Sequence, residues 1–297
     1  MPLPPEQVTR AVIQRFARIQ ERYRQDLGAR PFPVPNGEYF PDVFEGDELS
    51  VQLLVARLQE HAGMTDIPLS ARVVTVEGTA SPTSSCSSGS CAVPQSNGSG
   101  VARVIDSGDE WILQVPATEL SHPTVLTTNL ARSLAYIFLI ESQSEGEIIE
   151  PPVDVSADLV AVALGLGTLM LEGSYLYAKS CGGPQVASVT KVSVQELAVA
   201  TALFAQLHRH KLPTALKAIG LTQRESLKAA HELLLSNPRL VDILRRDPRA
   251  IADGHFELQE RKSLIARWFG KSPRHQRLRR LLKTATALSW RPWNHSK

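Results

Sequence analysis

"LTTNLARSLAYIFLIES", residues 126–142, has the period of a buried helix with three polar residues set into it. Leu126, Leu130, Leu134, Ile137 and Phe138 recur at the spacing of one helical face. Arg132 and Tyr136 stand four apart and share a face, with Ser133 beside them. A second apolar helix follows in "VDVSADLVAVALGLG", with Asp158 in its first turns and Ser156 as its N-cap. Two placements of the charges are open. Arg132 pairs with Asp158 and keeps the core neutral, since an unpaired buried charge costs several kcal/mol. Or Arg132 snorkels to the surface and Asp158 caps its own helix.

The rest of the chain organises around these two helices. Residues 5–27 place Val8, Val12, Phe16, Ile19 and Tyr23 at helical spacing. "ARPFPVPNGEYFPDVFEGD" then holds four prolines and two glycines, which exclude regular structure, and Phe32, Tyr39, Phe40 and Phe44 are its anchors. Residues 48–62 return to helix with a stripe of Leu49, Leu53, Leu54 and Leu58. "ARVVTVEG" reads as a strand, and "GVARVIDSGDEWILQVP" as a hairpin turning at Asp-Ser-Gly-Asp. Between them, residues 78–100 contain eight serines and four glycines, a composition that predicts a mobile loop. Further helices are predicted over 123–142, 155–179, 193–210 and 222–236, with short ones near 238–246, 257–268 and 273–290.

At 297 residues and 43% hydrophobic, the chain has material for a large core, and a net charge of +2 names no partner. The N-terminus lacks the apolar stretch of a signal peptide. The longest apolar run, residues 159–171, holds two glycines and is too short to cross a bilayer. A cytoplasmic protein is the expectation.

Three segments carry a resemblance. "PNGEYFPDVFEG", "HPTVLTTNLARSLAYIFLIES" and "SADLVAVALGLGTL" resemble, in order and spacing over residues 30–210, a family of poorly characterised bacterial zincin-like proteins. That family carries an "EYFPD"-like segment, a helix with the zinc-peptidase pattern H-E-x-x-H, and a later helix with an acidic ligand. The resemblance puts the first His on Arg132, the catalytic Glu on Ser133, the second His on Tyr136 and the acidic ligand on Asp158, which alone is kept. A guanidinium has no lone pair for a metal. An unassisted serine is a poor general base near neutrality, and a tyrosine ligand would have to ionise from a pKa near about 10. The peptidase chemistry implied by the family is therefore missing, and no cofactor is expected.

Other motifs add little chemistry. Cys86, Cys91 and Cys181 read as silent thiols, although C-x4-C with Cys181 could hold a metal or a labile disulfide. "HELLL" at 231–235 lacks the second His of a zinc helix, so His231 and Glu232 are expected to face solvent. "GLGTL" at 165–169 lies inside a helix, where its glycines permit close packing, and "CGGP" at 181–184 reads as a helix end. Residues 261–297 hold eleven Lys and Arg and no acid. Arg277, Arg279, Arg280 and Lys283 there suit an anionic membrane or nucleic-acid surface, unless the leucine face simply docks on the domain.

The expected fold is α+β and predominantly helical. Residues 1–215 form a zincin-like core with a small β-sheet on two central helices, 216–260 a helical extension and 261–297 a basic amphipathic tail. The expected function is a catalytically inactive pseudo-metallopeptidase that binds protein or peptide. The alternatives are an active hydrolase with non-standard ligands, such as Asp158 with Cys181 or a histidine, and a module that binds anionic surfaces through the tail.

Overall fold

The computed structural model describes residues 3–75, 103–144, 148–180 and 183–259. Helix α1 (Glu6–Arg22) buries Val12, Ile13, Phe16 and Ile19 along one face. Helix α2 (Glu48–Ala62) starts at a capping box, in which Asp47 and Ser50 accept from each other's backbone N–H, and stops at left-handed Gly63. Its buried face corrects the expected stripe. Val51, Val55, Leu58 and Ala62 are buried, whereas Leu49 and Leu53 are 68% and 45% exposed. Two glutamines seven residues apart explain the rotation. Gln52 accepts from the Ala71 N–H and donates to the Leu69 carbonyl, and Gln59 donates to the carbonyls of Met64 and Ile67. The helix is thus turned toward the chain that enters the sheet. In the Pro-rich segment before it, Phe32 is buried and Tyr39 and Phe40 pack on the core, but Phe44 is exposed rather than an anchor.

Strands β1 (Leu69–Val74), β2 (Val104–Asp106) and β3 (Trp111–Pro116) form one mixed sheet in the order β1-β3-β2. The β2–β3 hairpin is where the sequence puts it, in the register Asp106 opposite Trp111. Strand β1 runs parallel to β3, with Leu69 opposite Trp111 and Val74 opposite Pro116. Trp111, Leu113 and Val115 alternate into the core, where β3 meets helix α3 (Pro123–Glu141). The serine-rich stretch 78–100 lies outside the described residues.

Helix α4 (Val153–Ala161) continues through a wider turn at Val162–Leu166 into α5 (Gly167–Gly173). By length and composition Val153–Gly173 could cross a membrane, but most of it is buried inside this fold. The wide turn centres on Gly165, whose φ of 94° brings it against the Pro31 carbonyl oxygen. At Gly173 the missing Cβ leaves room for Thr128 of α3, which donates to the Leu169 carbonyl at 3.0 Å. The predicted helix 155–179 therefore ends early. Gly173 and Ser174 stop it, with the Ser174 hydroxyl donating to the Leu171 carbonyl (2.7 Å). Strands β4 (Leu176–Ser180) and β5 (Gly183–Ala187) then pair antiparallel, so Gly183 and Pro184 of "CGGP" open a strand and do not end a helix; residues 181–182 lie outside the described residues.

Helix α6 (Val194–Leu207) opens on a second capping box, Ser193 with Glu196, and packs on α5 and α1. Helices α7 (Leu212–Ala218), α8 (Leu221–Ser236), α9 (Pro238–Arg246) and α10 (Pro248–Ala252) follow. The short helices α7 and α10 each carry a proline in the first turn and escape periodicity because they are under two turns long. Leu227, Leu234, Leu240, Leu244 and Ile251 join the same core as α1 and α3. Residues 257–259 are not helical. The rest of the helix predicted at 257–268, and the one at 273–290, lie outside the described residues.

Gly165→Ala places a Cβ on the Pro31 carbonyl at a backbone angle that L-residues avoid. It is expected to destabilise the protein by at least about 2 kcal/mol in urea denaturation. A loss below about 0.5 kcal/mol would mean that the wide turn is not built on that glycine.

Candidate functional site

The polar residues of α3 form a stripe. Asn129, Arg132, Ser133 and Tyr136 occupy positions i, i+3, i+4 and i+7, and the first three are buried. Arg132 is only 1% exposed and donates through Nε to Asp158 Oδ1 at 2.6 Å. Its Nη2 reaches Asp154 Oδ1 at 3.0 Å. Asp158 is 0% exposed, and its other oxygen accepts from the backbone N–H groups of Lys191 (2.6 Å) and Val192 (2.9 Å). Burial pushes the Asp158 carboxyl up, while the Arg132 guanidinium and the two N–H groups pull it down. The cluster ties α3 to α4 and to the segment that leads into α6.

Of the two charge placements open in the sequence, the geometry realises the pair. Arg132 does not reach the surface, and Asp158 sits in the second turn of α4, not at its cap. Ser156 is not the N-cap either; Pro152 holds that position. Instead the Ser156 hydroxyl donates to the Glu150 carbonyl (2.7 Å) and accepts from Arg15 (2.9 Å), which fixes the entry of α4 on α1. Tyr136 is half-buried against the core. Asp154 was missed in the sequence, although its place four residues before Asp158 on one helix was a readable signal. Asn129 was missed as well. It donates to buried Glu119 at 3.0 Å, and Glu119 also pairs with Arg103 at 2.6 Å. Nothing local joins residues 103, 119 and 129.

The residues at this site do not fit a zinc ion. Arg132 offers only donors, and both Asp158 oxygens are already engaged. Among the described residues, no three His, Cys, Asp or Glu converge as a ligand set. Cys86, Cys91, Cys181, Arg277, Arg279, Arg280 and Lys283 lie outside the described residues. Set against protein-family models, characterised proteins and solved structures, the chain matches none.

A second feature lies at the N-terminal end of α3. A cavity of about 280 Å³ opens between the Pro-rich segment, α2, α3 and α5, lined by Phe40, Phe44, Leu54, Leu126 and Leu169. Arg57 and Asp42 pair at its wall, with the guanidinium 3.1 Å from Asp42 Oδ2. The cavity is apolar within and charged only at its edge.

Two half-buried histidines serve packing. His231 is half-buried and hydrogen-bonded through Nδ1 to Gln206 of α6 (3.1 Å), which corrects its expected solvent exposure, and burial lowers its pKa. His208 packs at 4.5 Å from the Phe204 ring. Burial, with His210, Arg245 and Arg30 close by, lowers its pKa from 6.5 to about 4.

Two predictions follow from these groups. Arg132→Met leaves the buried Asp158 without its cation and is expected to cost about 3–5 kcal/mol in urea denaturation. Arg132→Met with Asp158→Asn should cost less than the sum of the two single variants; strict additivity would mean that the pair is not coupled. For His208 the sign is that of a depressed histidine. The folded form stays neutral while the unfolded form takes a proton below pH 6.5, so stability falls as pH drops from 6.5 toward about 4. His208→Phe should flatten that part of the melting temperature–pH curve, and an unchanged curve would refute the assignment.

Proposed function

We propose that this chain is a non-catalytic, zincin-like protein that binds a protein or peptide. The observation that carries the reading is the buried guanidinium of Arg132 held by Asp158. In the resemblance on α3 and α4, Arg132 stands at the first zinc-binding His and Asp158 at the acidic ligand. A permanent positive charge on the side chain replaces that of a metal, and the carboxylate keeps its place and its charge balance. The nucleophile-activating step of a zinc peptidase needs a metal-bound water and a general base. Neither Arg132 nor Ser133 can supply them. A hydrolase built on Asp158 is disfavoured because its three N–H partners would have to be displaced. The apolar cavity beside α3 offers a place for a ligand that is bound and not cleaved.

Zinc content of the purified full-length chain, measured by inductively coupled plasma mass spectrometry, tests both halves of this reading. The natural chain should carry less than about a tenth of an equivalent. A variant with Arg132→His, Ser133→Glu and Tyr136→His frees Asp158 Oδ1 and restores the pattern; it should gain about one equivalent of zinc. Near-stoichiometric zinc in the natural chain would overturn the non-catalytic reading. A folded triple variant, checked by circular dichroism, that takes up no zinc would overturn the zincin-like one.

A further inference from the structure

The cavity at the head of α3 belongs to a wider surface. Val43, beside Phe44 at its mouth, is 78% exposed. Leu49 and Leu53 stand one turn apart on the exposed face of α2. A soluble surface seldom spends a neighbouring Val, Phe and two Leu on water, and such apolar clusters mark places where something binds. The charged residues of the Pro-rich segment and of the first turns of α2 have one sign. Residues 31–56 contain Glu38, Asp42, Glu45, Asp47 and Glu48 and not a single Lys or Arg. All five acids are exposed. Arg57, the cation that lines the cavity, is already shared between Asp42 (3.1 Å) and Glu60 (2.6 Å).

This bias extends beyond the rim. Residues 261–297 hold 11 of the 32 Lys and Arg and none of the 30 acids, so residues 1–260 have 21 basic against 30 acidic groups, a net −9. An apolar floor inside an acidic rim repels nucleic-acid phosphates and anionic lipid headgroups and attracts a cationic partner. The floor needs a large apolar side chain to fill it, and the Leu49–Leu53 pair extends it along a helix. That is the pattern by which a groove receives one face of an amphipathic helix.

We propose that the surface formed by Val43, Phe44, Leu49, Leu53 and the cavity behind them docks a basic amphipathic segment of another protein. A leucine or aromatic residue of the segment enters the cavity between Phe40, Leu54 and Leu126. Its Lys and Arg face Glu38 and Glu45. This rests on the binding role proposed above and supplies its site and the chemistry of its partner.

The test is a fluorescence-anisotropy titration of the full-length chain with a labelled synthetic peptide of about 18 residues, built of Leu and Lys at helical spacing. A scrambled peptide of equal charge serves as control. Binding of the first peptide should be at least about tenfold tighter than that of the control and should weaken about tenfold between about 0.05 and 0.3 M salt. The variant Val43→Ser/Leu49→Ser/Leu53→Ser changes exposed positions only and should lose most of the binding; Glu38→Lys/Glu45→Lys should lose the salt dependence. No binding, or equal binding of the scrambled peptide, overturns the proposal. So does self-association that the serine variant abolishes, since a second copy would then own the surface. Peptide binding that appears only after Arg277→Glu/Arg279→Glu/Arg280→Glu/Lys283→Glu would assign the surface to the chain's own basic residues and equally overturn a foreign partner. The zinc measurement is independent of all these outcomes: it can fail while the peptide binds, and the peptide can fail while Arg132 excludes the metal.

Discussion

A guanidinium and a carboxylate with almost no access to water have to be held by each other and by neighbouring dipoles; Arg132 is bonded through Nε and Nη2, while its Nη1 is buried without a partner. The penalty for taking each ion out of water is several kcal/mol, so the Arg132–Asp158 pair persists only because every oxygen of Asp158 accepts a hydrogen bond. Acceptor and donors come from three separate parts of the chain: Asp158 from α4, the guanidinium from α3, and the backbone N–H groups from residues 191–192. The pair therefore fixes more than itself: the angle of α4 on α3, the path of residues 191–192, and through them the start of α6. Its strength lies in shape specificity, since an apolar replacement of both partners would keep the core filled without dictating which backbone N–H groups meet at that point.

The same helices close on each other elsewhere because side chains are missing. Gly173 admits Thr128, and Gly165 admits the backbone at Pro31. The Gly165 contact draws the Pro-rich segment onto the wide turn before α5, and the segment in turn forms one wall of the apolar cavity. The ionic cluster and the cavity share α3 as a common support, one at its centre and one at its first turn.

Legibility followed the range of the interaction. The β2–β3 hairpin and the core stripe of α3 depend on residues within a few positions of each other and were read directly; the capping boxes of α2 and α6 are as local but went unread. Arg132 and Asp158 could be singled out because an apolar stripe makes any charge conspicuous. Asp154 was readable by the same spacing rule, but a carboxylate in the first turn of a helix looks like an ordinary dipole partner. The Glu119–Arg103–Asn129 cluster had no such signal. The stripe on α2 was misjudged because two apolar faces overlap on that helix, and the choice between them is made by Gln52 and Gln59 bonding to backbone beyond the helix.

By itself the sequence determined that two apolar helices carry one conspicuous charge each, Arg132 on the first and Asp158 on the second, and that Arg132, Ser133 and Tyr136 do not make an H-E-x-x-H zinc pattern. This follows from periodicity and from what a guanidinium, a hydroxyl and a phenol can do, both of which are local properties. Only the tertiary structure decided that Arg132 turns inward onto Asp158 and Asp154, that β1 lies parallel to β3, that the second helix gives way to a hairpin after Gly173, and that Leu49 and Leu53 are left on the outside beside an acidic rim. Each of those outcomes depends on which distant backbone groups and surfaces compete for the same residue, and one-dimensional spacing carries no record of that competition.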